Sequence, residues 1–235
     1  LIICYSAGTS IVSGCVYGNE GSEKPMSFDY NPYIWIYLVS AAILMLTVAY
    51  SIYSKNKEPL WLITLSLIIL WCLGYAFQIS GTDVRTASFW YVLSNDVIGL
   101  KSPTTLLLWS LVITGRKKLI TPASVGALLL LPVATDILNL TNASHSLVYR
   151  QMWMDDSSGY SLLQFIKGPW YWVINVYCML ELLAVVALLI KAAFDHRLLY
   201  RMQGYAIAVV VFVILMFIVV ALMADSSILN YDLTP

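Results

Sequence analysis

The sequence predicts an all-α fold, a polytopic bundle of transmembrane helices with its N-terminus outside, and three observations predict it. Of the 235 residues, 60% are hydrophobic and only 11% charged, with a mean hydropathy of +0.79. Soluble domains are about 45–50% apolar and about 25% charged, so an excess of this size has no soluble core to hide in. Six segments also reach the length of about 20 apolar residues that a bilayer demands: 32–53, 59–80, 89–113, 119–140, 169–194 and 204–224. Finally, the basic residues gather in alternate linkers.

Residues 1–30 read as an extracytoplasmic segment and 31–235 as the membrane bundle. The opening LIICYSAGTSIVSGC reads as a signal-peptide tail, and its VSGC end resembles a lipoprotein cleavage box with no basic region ahead of it. Tyr30, Tyr33 and Trp35 mark one rim of the first helix, where amphipathic rings favour the membrane–water boundary. SKNKEP turns the chain into the second helix, SGTDVRTAS leads to the third and TGRKK to the fourth. A loop over about 141–168 follows, in which LVYRQMWM alternates by two, as a strand pair or a short amphipathic helix would. PWYW opens the fifth helix and KAAFDHRLLYRMQ connects it to the sixth.

Charge orients the bundle. The linkers after the first, third and fifth helices hold Lys55, Lys57, Arg116, Lys117, Lys118, Lys191, Arg197 and Arg201. The other face holds Lys24, Arg85, Arg150 and Lys167 and most of the acids. The positive-inside rule then places the first set in the cytoplasm and the N-terminus outside the plasma membrane. Thirteen basic residues scattered in this way make no nucleic-acid surface. Four cysteines without a CxxC, and two histidines on opposite faces (His145 and His196), give no metal or haem signature, so no cofactor is expected. Glycosylation patterns at Asn139 and Asn142 are of a kind common by chance. With no phosphate loop, phospho-accepting histidine motif or nucleotide fold, the chain itself is not expected to be an enzyme.

Four ionisable residues fall within the apolar segments: Asp96 and Lys101 in the third, Asp136 in the fourth and Glu181 in the fifth. Charges at mid-bilayer cost from about 2.5 to over 10 kcal/mol, so they face a partner or a cavity and mark function by default. Asp136 lies near a helix end, where water reaches it, whereas Lys101 and Glu181 lie near the centres of their helices. Glu181 is therefore one expected partner of Lys101, and Asp96 the other. Residues five apart point about 140° away from each other on a straight helix, but Pro103 predicts a kink at Gly99–Thr105 that relaxes the objection.

Several stretches carry a resemblance. The order FW…IGL.SP…LLWSLVITGR, LLLLPVATDILNLTNASHSLVY, GPWYWVINVYCMLELLAVVALL, YRMQGYAIAVVV resembles the seven-transmembrane input region of bacterial and archaeal sensor histidine kinases, a module that also precedes diguanylate cyclase domains. It runs from about Pro32 to Pro235, and its best pieces are Thr141–Asn142 with His145, Gly168–Pro169 with Trp172 and Tyr177, and Tyr200–Arg201 with Gln203. Gln78 stands where that family usually has an acid, helix six lacks the usual proline, and Lys101 has no counterpart in the pattern. The resemblance implies that DLTP leads into a seventh helix and a cytoplasmic output domain, and that the full-length protein works as a homodimer.

The expected function is thus a sensory input domain in the lipid bilayer that binds an unidentified small molecule and relays it to a kinase. The expected ligand-binding residues are Asp96, Lys101, Pro103 and Glu181, capped by His145, Trp153 and Trp170 of the outer loop. A solute or proton-coupled transporter is the alternative, since intramembrane acid–base groups and a broken helix suit transport. Against it, helices one to three and four to six show no internal repeat. A retinal protein would need its lysine late in the bundle, and Lys101 is in the third helix.

Overall fold

The computed structural model describes residues 26–54, 58–155 and 161–194. Among them, five helical stretches are long and apolar enough to cross a membrane: Ile34–Tyr53, Pro59–Ser80, Val84–Ile113, Pro122–Leu140 and Pro169–Ala192. The sixth expected span, 204–224, lies outside the described residues, as do the signal-peptide stretch and His196.

Helix α1 (Ile34–Tyr53) packs on α2 (Pro59–Ser80), and proline at the first position of α2 removes an N–H that would have no helical partner. The third crossing is composite. Helix α3 (Val84–Tyr91) runs into a π-helical segment, Val92–Gly99, and then into α4 (Lys101–Ile113). It starts five residues before the apolar run because Thr86, Ala87 and Ser88 are small enough to be buried against α2. Gly74 of α2 lets the π segment come close, since a Cβ there would lie 2.6 Å from the Cβ of Ser94. The predicted irregularity is present but shifted: it occupies Val92–Gly99, and Pro103 sits in the first, regular turn of α4. A proline costs nothing in a first turn, and the wide turn ahead of it ends with Leu100 N–H bonded to the Asn95 carbonyl, five residues back.

Helix α5 (Pro122–Leu140) opens with a capping box between Thr121 and Ser124. A one-turn helix α6 (Asn142–His145) then leads to an antiparallel strand pair, β1 (Tyr149–Asp155) and β2 (Leu162–Lys167), so the alternation of LVYRQMWM resolves as a strand pair. Helix α7 (Pro169–Phe194) returns through the bundle and packs on α4. The hairpin therefore caps one end, shared with Asp83, Arg85, Arg150 and Lys167. Arg116, Lys117, Lys118 and Lys191 lie at the other end.

Two apolar clusters hold these parts together. Leu107 of α4 meets Leu182, Val185, Val186 and Leu189 of α7 toward the basic end. At the hairpin end Tyr91, Val148 and Tyr149 form the centre of a cluster with Phe165, Trp170 and Tyr171. Tyr149 lies with its ring centroid 5.3 Å from Phe165 and 5.6 Å from Tyr91, both edge-on, a favoured aromatic geometry.

Asp83 caps α3. Its carboxylate accepts from Thr86 N–H at 2.8 Å, from the Thr86 hydroxyl at 2.6 Å and from the Ser27 hydroxyl at 2.7 Å. Partial burial pushes this carboxyl up, but the donors outweigh it and hold it below its ordinary value. A depressed carboxyl contributes stability that is present above the unfolded-state value and lost as pH falls through the folded-state value. Asp83→Ala is expected to cost about 1 kcal/mol at neutral pH. That difference from wild type should shrink as the solution is acidified through the carboxylate range, read from paired unfolding curves.

Candidate functional site

The membrane acids and the lysine fall into three neighbouring polar contacts, and each depends on how a helix aims its side chains. In α4 the long Lys101 side chain points back toward the helix N-terminus, which is the hairpin end. It reaches the Val97 carbonyl one turn earlier and both carboxylate oxygens of Asp136 on α5, at 3.0 and 2.8 Å. The expected partnership of Lys101 with Glu181 or Asp96 is therefore corrected: the ion pair is with Asp136. Counting depth from residue number made Asp136 look solvated, but the lysine stem climbs to it as snorkelling side chains do. Both side chains of the pair are about three-quarters buried, at 23% and 24% exposure.

One turn further along α5, Asn139 makes the second contact, donating its amide to Asp96 at 2.9 Å. Asp96 belongs to the π segment and is 6% exposed. It also accepts the hydroxyl of Tyr149, 2.9 and 3.0 Å from its two oxygens. Tyr149 is the first residue of β1, so a strand of the cap reaches a carboxylate inside the bundle. Burial, followed by the neighbouring Asp96 carboxyl, pushes the Tyr149 phenol well above its ordinary value, which keeps it a donor at physiological pH.

Asn142 sets the position of Tyr149. Its amide donates to the Tyr149 carbonyl at 2.7 Å, while its carbonyl accepts from Val148 N–H at 3.0 Å and Tyr149 N–H at 3.3 Å. Asn139 and Asn142 thus spend their amides on folding, and their match to glycosylation patterns has this structural counterpart.

The third contact is deeper. Glu181 of α7 is 4% exposed and accepts from the Thr104 hydroxyl of α4 at 2.9 Å, with Tyr177 one turn earlier on α7 2.8 Å away. It makes no ion pair with Lys101, whose side chain leans toward the hairpin end, while Glu181 faces Thr104, three residues further from that end. Tyr177 also donates to the Leu128 carbonyl at 2.7 Å, tying α7 to α5.

The cap residues expected to cover this region are dispersed. Trp170 donates its indole N–H to Thr135 at 2.9 Å, linking α7 to the residue before Asp136. Trp153 lies in β1 opposite Gln164 and is 36% exposed. His145 accepts Leu147 N–H on Nδ1 at 3.1 Å and faces the Thr141 hydroxyl through Nε2 at 3.0 Å. Pro103 flanks the ion pair without supplying a polar group to it. Reading the sequence alone missed Tyr149, Asn139 and Thr104; an asparagine inside an apolar helix was the one available signal, and nothing distinguishes Tyr149 among 16 tyrosines.

Among the described residues, no group of three or more His, Cys, Asp or Glu side chains is placed to hold a metal ion. The arrangement is a set of interhelical polar contacts in series: cap to π segment, π segment to α5, and α4 to α5 and α7.

Comparison with protein families matches residues 36–235 to the N-terminal 7TM region of histidine kinase. No curated protein and no solved structure matches the chain.

Proposed function

The chain belongs to the family of N-terminal 7TM regions of histidine kinases, and we propose that it senses a small ligand at its hairpin end and relays binding to a cytoplasmic kinase. The hairpin end faces outward in this reading, which the basic cluster Arg116–Lys118 at the opposite end supports. The receptor sits in the plasma membrane and works as a homodimer, and catalysis belongs to the output domain.

One contact carries the reading. The hydroxyl of Tyr149, from the cap, bonds a buried carboxylate in the least regular part of a membrane helix. π turns are rare and are found frequently at functional sites, and this one places Asp96 between the cap and α5. Asp96, held by the cap on one side and by Asn139 on the other, biases which packing the helix adopts, and two discrete packings are what a switch requires.

The test is autophosphorylation of the full-length protein in nanodiscs. Tyr149→Phe keeps the ring and removes the hydroxyl; Asp96→Asn keeps the volume and alters the acceptor. Each is expected to shift basal autophosphorylation severalfold, and the double variant to shift it no further than one single variant, as for residues in one contact. Unchanged activity in both singles sinks the relay, and uptake of a solute into proteoliposomes would move the assignment to transport.

A further inference from the structure

Beside the relay contact lies a feature that the relay does not use. Where α6, β1 and the start of α7 meet, an open hollow of about 560 Å³ is lined by His145, Ser146, Arg150, Gln151, Ile166 and Pro169. Small-molecule sites are about 300–1,000 Å³.

Three observations give the hollow a chemical preference. First, Arg150 is the extra residue of a β-bulge: Tyr149 pairs with Lys167 and Gln151 with Ile166, leaving Arg150 without a cross-strand partner. Bulges re-aim side chains and are frequent beside functional sites. This one turns Tyr149 into the bundle while Arg150 stays exposed at the hollow. Second, among the described residues no acidic side chain lines the hollow, and Arg150 forms none of the ion pairs there. Third, the wall next to it is held in place. Ser146 has φ +52°, the left-handed region that is uncommon outside glycine, and His145 spends both ring nitrogens on Thr141 and Leu147. With Nδ1 accepting Leu147 N–H, and the Thr141 hydroxyl already donating to the Ile137 carbonyl at 3.0 Å, the ring fits the neutral tautomer with hydrogen on Nε2. The hollow therefore presents one fixed positive charge, the Gln151 amide and an apolar floor of Ile166 and Pro169.

We propose that this hollow binds a small organic anion, its carboxylate or phosphate group held by Arg150 and its carbon skeleton lying on Ile166 and Pro169. A guanidinium matches the two oxygens of either group in a fork-to-fork contact. Arg150 immediately follows Tyr149, so a pull on the arginine acts on the residue that bonds Asp96. The inference rests on the sensor reading for its consequence, not for the binding itself. The anion reaches Arg150 either free in solution or as a lipid headgroup.

The experiment uses the full-length protein in phosphatidylcholine nanodiscs, titrated with succinate and with inorganic phosphate by calorimetry, with autophosphorylation measured on the same samples. Saturable binding of either probe, weakened about tenfold or more in Arg150→Gln and partly retained in Arg150→Lys, supports a site for a free anion. If neither probe binds, but phosphatidylglycerol nanodiscs raise the Tm of wild type and not of Arg150→Gln, the anion is a lipid headgroup. Equal behaviour of wild type and Arg150→Gln in all of these, at matched Tm in phosphatidylcholine, overturns the proposal. Binding without any change in autophosphorylation supports the anion site and overturns the sensor reading.

Discussion

Lys101→Met is expected to destabilise the bundle by about 2–4 kcal/mol, and Lys101→Met combined with Asp136→Leu to recover most of that loss. Removing one member of a buried pair leaves the other charged and unpartnered, at about 3–5 kcal/mol, whereas replacing both with apolar groups is often neutral or stabilising. The lower end of the range applies because each side chain keeps about a quarter of its surface exposed, at 23% and 24%. Asp136→Asn alone should cost less than Lys101→Met. Lys101 retains the Val97 carbonyl as an acceptor, while Asp136 in the lysine variant keeps no hydrogen-bond or ion-pair partner among the described residues. The check is a double-mutant cycle of equilibrium unfolding in mixed micelles, with a coupling energy above about 1.5 kcal/mol expected. Glu181→Gln serves as the discriminating control. Had Glu181 neutralised the lysine, as its depth in the sequence suggests, it would couple strongly to Lys101→Met. With Thr104 and Tyr177 around Glu181 instead, the two changes should add.

That pairing shows where a sequence stops being informative. Bilayer thickness is a one-dimensional constraint, so runs of apolar residues reveal helices directly, and α1, α2, α5 and α7 begin and end within a few residues of the expected spans. The start of the third crossing at Val84 was hidden because Thr86 and Ser88 read as linker, whereas their small size is what allows the contact with α2. The strand pair was half legible, since alternation shows in LVYRQMWM, but the bulge at Arg150 depends on the partner strand. Site partners were the least legible, because facing is set by tertiary packing and by the direction of side chains. Lys101 reaches up its helix to Asp136, and Asp96 takes a phenol from a strand 53 residues away. Asn139 shows only as an amide inside an apolar helix, which does not say what it faces, and no linear pattern announces Tyr149.

Gly168→Ala is expected to be the most disruptive change of a single methyl group at the hairpin end, at about 2–3 kcal/mol. A Cβ on Gly168 would lie 2.1 Å from the Leu147 carbonyl oxygen and 2.5 Å from its carbon. Both are backbone atoms, so no rotamer change relieves the clash and the corner itself has to open. Two bonds cross that corner, Gly168 N–H to the Val148 carbonyl at 2.8 Å and Trp170 N–H to the Leu147 carbonyl at 2.9 Å. Losing them frees the start of α7 from the strand that carries Tyr149, so amide exchange at Gly168 and Trp170 should rise together. The matched control is Gly126→Ala on α5, where a Cβ meets nothing within 4 Å and a helical alanine gains up to about 1 kcal/mol over glycine. If both substitutions behaved alike, the corner would be pliable, and the cap could not transmit a displacement to Asp96. If Gly168→Ala alone loosens the cap, the closeness of Leu147 to Gly168 is what makes hairpin and helix move as one body.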